Sequence, residues 1–386
     1  MRSVSAAALV FSCVASIASA APTSAFTFDN DPLHNGFPNP NPDNITNIEQ
    51  AAHGSLPIAA AAAKNASAKA PSADSLTSLR FIAFNELFEV AFFTSLINNI
   101  TAGRDGFKMN NGTAQKYLLD GLTAIQAQEE LHALNANNGL KANKQNPIEP
   151  CQYVFPTTNL TDAIALASKF TDIVLATLPD LQTGFANNGD NSLIRGVGAV
   201  IGQEGEQNGF YRQFDKKNKK IPSALPFLTA GTRNFAFSAL NQNFVVPGSC
   251  PNLADITADK SIAIFAPLAV NTDGGNLMPQ TQNVQFSFVA SEVQPEWKGT
   301  NNDWSGLSLV YINQQNAPIS EKLTNVQLAT GSDGITISFE ASFPFDGVAF
   351  GNGLTLAAVV PSNSDISSVV TVSANTLAGP GLIEVN

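Results

Sequence analysis

The sequence predicts a protein of mixed α and β structure, in which a helical bundle is followed by an antiparallel β-sandwich. Between about residues 73 and 245, apolar residues recur every three or four positions, the period of a helix with one buried face. From about residue 258 onward, short runs of alternating apolar and polar residues are separated by turn signals such as Asp273-Gly274-Gly275. A chain of 386 residues is long enough to form two domains of this kind.

The first 20 residues have the layout of a secretory signal peptide. Arg2 supplies the positive start, an apolar run follows at 6–17, and Ala18-Ser19-Ala20 has the small residues of a cleavage site. The apolar run is too short to span a membrane. We therefore expect residues 1–20 to be removed and the mature protein to be secreted, into the extracellular space or the cell wall, with no membrane span.

Residues 21–72 are rich in proline and alanine, and we expect them to form a linker or an arm packed on the surface. Prolines at 38, 40 and 42 argue against a helix or a central strand across the stretch 37–42.

Two cysteines, Cys151 and Cys250, remain after removal of the signal peptide. In an oxidising compartment we expect one disulfide between them, with two free thiols as the alternative. Secretion also exposes Asn-x-Ser/Thr sequons to glycosylation. We expect N-glycans at some of Asn44, Asn65, Asn99, Asn111 and Asn159.

The charge of the chain argues against nucleic acid as a partner. The formal net charge is −11, and a protein of that sign is repelled by a phosphate backbone. Charged residues make up only 13% of the chain, which suits a glycosylated extracellular surface better than a cytosolic one.

The helical part is predicted to cover residues 73–250. Ser72 or Asp74 is a suitable cap for its first helix, and Asn138-Gly139 is a stop signal for its second. Pro179 is expected to end or kink the third helix. The predicted helices are 74–100, 113–137, 161–178, 192–214 and 223–243.

The sheet part is predicted to cover residues 255–386. Several short strands with regular turns are typical of an antiparallel sandwich. The candidate strands are 261–265, 284–289, 307–312, 334–343, 354–360 and 367–373. No histidine follows His132 in the sequence, and this part carries no catalytic motif.

Polar residues interrupt three of the apolar helical faces at their middle. An ionised carboxylate in a dry core costs several kcal/mol unless it is paired, protonated or bound to a metal. Three helices that carry this cost at a similar depth predict that their carboxylates converge on one site. The residues concerned are Glu86 and Glu89 on the first helix, Glu129 and His132 on the second, and Glu204 and Gln207 on the fourth.

Glu129 and His132 form a Glu-x-x-His step, which places a carboxylate and an imidazole on the same helical face, one turn apart. Helical bundles that bind two metal ions use this step together with glutamates from other helices. Carboxylate and imidazole ligands suit iron, manganese or zinc. The step is a weak signal alone and gains weight from the two other acidic faces.

The polar faces carry a resemblance to a known family. Residues from about 75 to 245 resemble a ferritin-like domain, on the stretches FNELFEVAFF at 84–93, QAQEELHAL at 126–134 and IGQEGEQ at 201–207. With its signal peptide, proline-rich arm and β-rich tail, the whole chain is similar to the secreted fungal stress-response and late-sexual-development family. The resemblance implies a ferritin-like fold and a link to starvation, stress or sexual development. It implies no settled biochemical activity.

The resemblance also implies where metal ligands belong, and the set is incomplete. Glu86, with Glu89 one turn on, fills the position on the first helix, and Glu204 fills that on the fourth. The third helix has no glutamate near Thr171, and Asp172 lies about 100° around the helix from the expected face. Gln207 stands where a histidine is expected and would ligate weakly or orient a carboxylate.

Two hypotheses follow. In the first, the glutamates and His132 bind iron or manganese, and the protein acts in metal binding or in protection against oxidative stress. In the second, the site has decayed into a proton-sharing hydrogen-bond network with raised pKa values, and the protein is a non-catalytic wall or matrix protein that could bind cell-wall polysaccharide. We favour a protein that is not an enzyme, with an oxidase or peroxidase as a third alternative. The sequons and the extra domain argue against iron storage in a cage.

Overall fold

The computed structural model describes residues 25–57, 70–214, 225–290, 304–331 and 334–385. The predicted signal peptide at 1–20 and the sequon at Asn65 therefore lie outside the described residues. Helices dominate the N-terminal half and antiparallel strands the C-terminal half, as the change of sequence period predicts.

Four long helices make up most of the N-terminal half. The helices of the described residues are α1 (Pro42–Ala51), α2 (Ala73–Thr101), α3 (Gly112–Ala142), α4 (Leu160–Asn187), α5 (Ile194–Phe214), α6 (Arg233–Asn243), α7 (Leu253–Thr257) and α8 (Val369–Ala374). α2 packs along α3, and α4 packs along α5. α2 begins after Ser72, whose hydroxyl accepts a hydrogen bond from the Ser75 amide, and it is buried on nearly all sides. It is the central helix.

Three predicted helix ends are wrong, and in each case packing explains the difference. α3 continues past Gly139 because the next apolar residue on its face, Leu140, is fully buried. α4 continues past Pro179 because Leu181 and Phe185 are buried beyond it, which outweighs the roughly 3 kcal/mol that a proline costs inside a helix. α6 begins ten residues later than predicted, since residues 225–232 have no regular secondary structure and the Gly231 amide bonds to the Ala176 carbonyl on α4 at 2.9 Å.

The arm contains a helix, α1, that the sequence did not predict. The proline argument holds before residue 42, but Pro42 occupies the first turn of a helix, where proline is favoured. Asn41 caps α1 by accepting a hydrogen bond from the Asn44 amide. Phe37 and Ile48 are each 2% exposed, and α1 packs on α3. The arm is therefore anchored to the helices by buried apolar side chains.

Two antiparallel sheets of four strands each make up most of the C-terminal half. The strands are β1 (Ala269–Val270), β2 (Gln282–Val289), β3 (Leu307–Asn313), β4 (Ile319–Lys322), β5 (Thr324–Gly331), β6 (Gly334–Phe343), β7 (Gly353–Pro361) and β8 (Ala378–Val385). The first sheet has the order β1-β2-β6-β5 and the second the order β4-β3-β7-β8. Phe286 and Phe339 of the first sheet and Tyr311 of the second lie in one apolar cluster between the sheets.

The two inner strands of the second sheet are buried on both faces. Residues such as Tyr311 and Val359 face the first sheet, whereas Val310, Ile312 and Leu356 belong to the hydrophobic cluster of the helices. β3 and β7 are buried at every position. The helical and sheet parts therefore share a hydrophobic core across this face.

Two predicted strands are wrong. Residues 261–265 have no regular secondary structure. Most of the range 367–373 is occupied by the helix α8, because Ser368 and Thr371 form a reciprocal capping box at its start. The other four candidate ranges overlap β2, β3, β6 and β7.

The predicted disulfide between Cys151 and Cys250 is confirmed. It joins the loop before α4 to the loop before α7 and closes a long segment, with a sequence separation of 99.

Two of the sequon asparagines cap helices. Asn111 accepts the amide of Ala114 at the start of α3, and Asn159 accepts the amide of Asp162 at the start of α4. These caps give both asparagines a structural role, and glycosylation at the five sequons remains a prediction.

Among the described helices, α2 alone is long and apolar enough to cross a membrane by length and composition. The core helix of a folded protein passes the same test, and 83% of the most apolar window of α2 is buried inside this protein.

Candidate metal centre

Acidic side chains from α2, α3 and α5 meet in the middle of the helical part. Glu86, Glu129, His132 and Glu204 each offer one ligand atom, and these four atoms lie within 4.8 Å of one another. The convergence is the one that the spacing of the three polar faces predicts. Each residue lies well inside its helix, so its Cα is held by regular backbone hydrogen bonds on both sides.

His132 lies between the carboxylates. Its Nδ1 atom is 2.8 Å from Oε2 of Glu129, 3.5 Å from Oε2 of Glu86 and 3.9 Å from Oε1 of Glu204. Its side chain is 15% exposed, whereas the three glutamates are at most 1% exposed. The imidazole is therefore the member of the group closest to solvent.

Several carboxylate oxygens of the site have no hydrogen-bond partner among the described residues. Both oxygens of Glu204, Oε2 of Glu86 and Oε2 of Glu89 are buried and accept no hydrogen bond, although His132 lies within 4 Å of two of them. Buried polar atoms in native proteins are nearly always satisfied by protein, water or an ion. These orphan oxygens point to a species that belongs between the helices.

Burial sets the electrostatics of the glutamates. Burial, with a smaller contribution from Glu129, raises the pKa of Glu86 to about 7 against the opposing effect of His132. Burial also raises the pKa of Glu204 well above its ordinary value, with added repulsion from Glu129, Glu89 and Glu86. Without a bound cation, the group therefore retains protons at neutral pH.

The histidine responds in the opposite sense. Burial lowers the pKa of His132, but the neighbouring carboxylates of Glu129 and Glu86 outweigh it and raise the pKa well above the ordinary value. His132 is therefore charged when no metal competes for its nitrogen.

Gln207 lies beside the group and orients one of its members. Its Nε2 donates to Oε1 of Glu129 and, at 3.3 Å, to Gln128. Its Oε1 accepts a hydrogen bond from the Tyr211 hydroxyl at 3.3 Å. With both ends of the amide engaged, Gln207 orients a carboxylate, one of the two roles expected for it.

Glu89 lies next to the group but outside the four residues whose ligand atoms converge. Its Oε1 accepts a hydrogen bond from Asn85 at 2.9 Å. Burial, together with the charges of Glu129 and Glu86, raises its pKa well above the ordinary value. It is a neighbouring carboxylate, one helical turn from Glu86.

α4 contributes no carboxylate to the group. Thr171 is fully buried on the predicted face. Asp172 instead accepts hydrogen bonds from Asn208 at 2.7 Å and from Arg212 at 3.2 Å. It belongs to a separate buried network, in agreement with its expected orientation.

Glu130 is a buried carboxylate that the sequence analysis missed. It is 2% exposed and accepts a hydrogen bond at 2.7 Å from Asn35 of the arm. Burial raises its pKa to about 7, against the effect of this hydrogen bond. Its position beside Glu129 predicts a solvent-facing residue, and the partner that covers it is 95 residues away in the sequence.

Three carboxylates and one imidazole form a donor set for a metal ion. The three glutamates are at most 1% exposed, so the site is closed to bulk water on the glutamate side. This buried group could hold a metal ion.

No protein-family model and no curated protein sequence matches this chain.

Proposed function

We propose that the protein binds a divalent transition metal ion at Glu86, Glu129, His132 and Glu204, with iron(II) or manganese(II) as the preferred ions. The observation that carries the proposal is the set of orphan oxygens, above all the two of Glu204. A decayed site that had closed into a hydrogen-bond network would satisfy these atoms. A cation held among the four converging ligand atoms gives Glu86 and Glu204 a partner at the same time.

The proposal includes a ferritin-like arrangement of α2 to α5, secretion, and membership of the fungal stress-response and sexual-development family. It is supported by the four long helices and by a Glu-x-x-His step whose two side chains point into the group. The biological role then lies in metal binding or in protection against oxidative stress, without a substrate of its own.

Metal titration of two matched variants tests the proposal. Glu204→Gln removes a buried ligand, whereas Glu206→Gln makes the same charge change at an exposed residue two positions along α5. We expect calorimetric titration of chelator-treated protein with manganese(II), and anaerobically with iron(II), to give one saturable site. Its affinity should fall about a hundredfold or more in Glu204→Gln and stay unchanged in Glu206→Gln.

The double variant Glu129→Ala with His132→Ala should abolish binding altogether, because it removes two of the four donors. A wild-type protein that takes up neither manganese, iron nor zinc contradicts the proposal. So does equal binding by the Glu204 and Glu206 variants.

A second candidate function is that of a non-catalytic cell-wall or extracellular matrix protein. It is favoured by Thr171, which stands where a carboxylate is expected, and by the hydrogen bond from Gln207 to Glu129. Binding of the full chain to isolated wall polysaccharide, unchanged in Glu204→Gln, would support this function. Deletion of residues 255–386 is a poor test, because it would uncover the apolar cluster that the second sheet shares with the helices.

A further inference from the structure

A second polar cavity lies away from the glutamate group. It has a volume of about 350 Å³ and is formed by the start of α2, the end of α4, the start of α6 and α8. Its lining includes Asp74, Asp180, Asn187, Arg233 and Asn234. Asp74 precedes Glu86 by twelve residues on α2, a separation of about 18 Å along the helix axis. The cavity is therefore a separate site.

The charge of Arg233 is already matched within this cavity. Its guanidinium donates to the Asp74 carboxylate, to the Asp74 carbonyl at 3.2 Å, to Ser78 at 2.7 Å and to the Ser261 carbonyl at 3.1 Å. Asp74 also accepts a hydrogen bond from Asn188 at 2.9 Å. Arg233 and Asp74 thus form a satisfied pair that builds the wall of the cavity.

Asp180 is the second carboxylate of the cavity, and Arg233 attracts it without donating a hydrogen bond to it. Among the described residues, none donates a hydrogen bond to its carboxylate. Burial raises its pKa to about 6, with Arg233 opposing and Asp74 adding to the shift, so the carboxylate is ionised at neutral pH. With two carboxylates and one guanidinium, the charged groups of the lining carry a net charge of −1.

The remaining lining can hydrogen-bond to an uncharged polar group. Asn187 and Asn234 bring amides, Thr183 brings a hydroxyl, and Val370, which is 56% exposed, brings a small apolar surface. A volume of this size is at the lower end of the range for small-molecule sites. The cavity therefore combines a net charge of −1 with neutral polar groups around it.

We propose that this cavity binds a small hydroxylated amine, with its ammonium group on Asp180 and its hydroxyl groups on the surrounding amides. A charged hydrogen bond to a partly buried carboxylate is stronger than a neutral one and gives the ligand its orientation. The inference is independent of metal binding by the glutamate group.

Glucosamine is a suitable probe because it carries one ammonium group and several hydroxyls, and glucose is its uncharged analogue. We expect calorimetry with the full chain near neutral pH to show saturable binding of glucosamine and binding of glucose that is weaker by tenfold or more. Asp180→Asn should weaken glucosamine binding by a similar factor. Asp105→Asn is the matched control, since Asp105 is 99% exposed and lies outside the cavity.

A second variant keeps the proposal testable if Asp180→Asn does not fold. Ala374 lies in the cavity lining and is exposed, so Ala374→Trp should fill the cavity without disturbing the core and abolish glucosamine binding. Failure of glucosamine to bind, equal binding of glucose, or an equal loss in the Asp105 and Asp180 variants would each overturn the proposal.

Discussion

Nδ1 of His132 lies 2.8 Å from Oε2 of Glu129, one turn earlier on the same helix. The pair is buried on the glutamate side and exposed only at the imidazole edge. Because the pKa of His132 is raised by Glu129 and Glu86, the pair is an ion pair when no metal is bound. A metal ion that binds Nδ1 must displace a proton, so metal and proton compete for one atom.

We expect His132→Ala to destabilise the metal-free protein. The change leaves buried carboxylates without their cation, and breaking one side of a buried pair costs about 3–5 kcal/mol. Urea unfolding at neutral pH with chelator present measures the loss. His53→Asn is the control, because His53 is exposed and asparagine tolerates its φ of 56°. Equal losses in the two variants would contradict the role of the ion pair.

The metal-free protein should lose stability as the pH rises. The folded pKa values of Glu86, Glu89 and Glu204 lie above the ordinary value of 4.5, and that of His132 lies above 6.5. Groups with raised pKa values contribute stability that is complete below the unfolded pKa and is lost as the pH rises through the folded pKa. Melting temperatures with chelator should therefore fall between about pH 5 and pH 8.

Saturating metal should reverse this trend, because carboxylates bind metal only when deprotonated. The melting temperature with manganese(II) should rise over the same pH range. A metal-free melting temperature that stays constant or rises would show that the buried glutamates keep their ordinary pKa values.

Glu204→Gln should raise the melting temperature of the metal-free protein at alkaline pH while it weakens metal binding. Both oxygens of Glu204 are unpartnered, and the neutral amide removes the cost of ionising a buried group. The stabilisation by metal should be lost in the same variant. Thermal unfolding with chelator and with manganese(II) measures both effects. If the variant is less stable than wild type in chelator at alkaline pH, the ionised Glu204 carboxylate does not destabilise the metal-free protein.

The glutamate group is predictable from the sequence because its geometry follows from helix period alone. Glu86, Glu129 and Glu204 each lie at the middle of an apolar face, and the depth of a residue along a helix follows from its position in the chain. The same counting of helical positions excludes Asp172 from the expected ligand face of the third predicted helix. The role of Gln207 needed the structure, because its amide could equally ligate or donate.

Features that depend on distant partners were not predictable in this way. The sequence alone predicts Glu130 at the surface. In the structure, Asn35 of the arm donates a hydrogen bond to its carboxylate. The double burial of β3 and β7 had a signal in the nearly continuous apolar runs of residues 307–312 and 354–360, since strands buried on both faces lose the alternation of polar and apolar residues. The run of β-branched residues at 369–372 favours a strand. The helix α8 forms there instead because a capping box stabilises its first turn.

Removal of the disulfide should cost substantial stability. Replacement of Cys151 and Cys250 by alanine opens a loop with a sequence separation of 99. A loop of that length stabilises by about 4–5 kcal/mol through the entropy of the unfolded chain. Urea unfolding of the double variant tests this, with the reduced wild-type protein as the comparison. A loss below about 1 kcal/mol would show that the ends of the loop stay close together in the unfolded chain.

Arg212 should couple the helical and sheet parts. Its guanidinium lies 3.2 Å from Asp172 on α4 and 3.5 Å from Glu384 on β8, and all three side chains are nearly fully buried. Arg212→Met should lower the free energy of unfolding by about 3–5 kcal/mol, because both carboxylates lose this partner. Lys116→Met, which removes the exposed pair with Asp120, should change it by less than about 1 kcal/mol.

The same variant tests whether the two parts unfold together. Trp304 packs against the apolar cluster between the two sheets, and the chain's other tryptophan, Trp297, lies outside the described residues. We therefore use fluorescence to follow the sheet part and circular dichroism at 222 nm to follow mainly the helices. Because the second sheet shares the hydrophobic cluster of the helices, we expect the two signals to change at one urea concentration. Arg212→Met should shift both midpoints equally. Separate midpoints in the wild-type protein, or a shift in one signal alone, would mean that the shared face does not couple the parts.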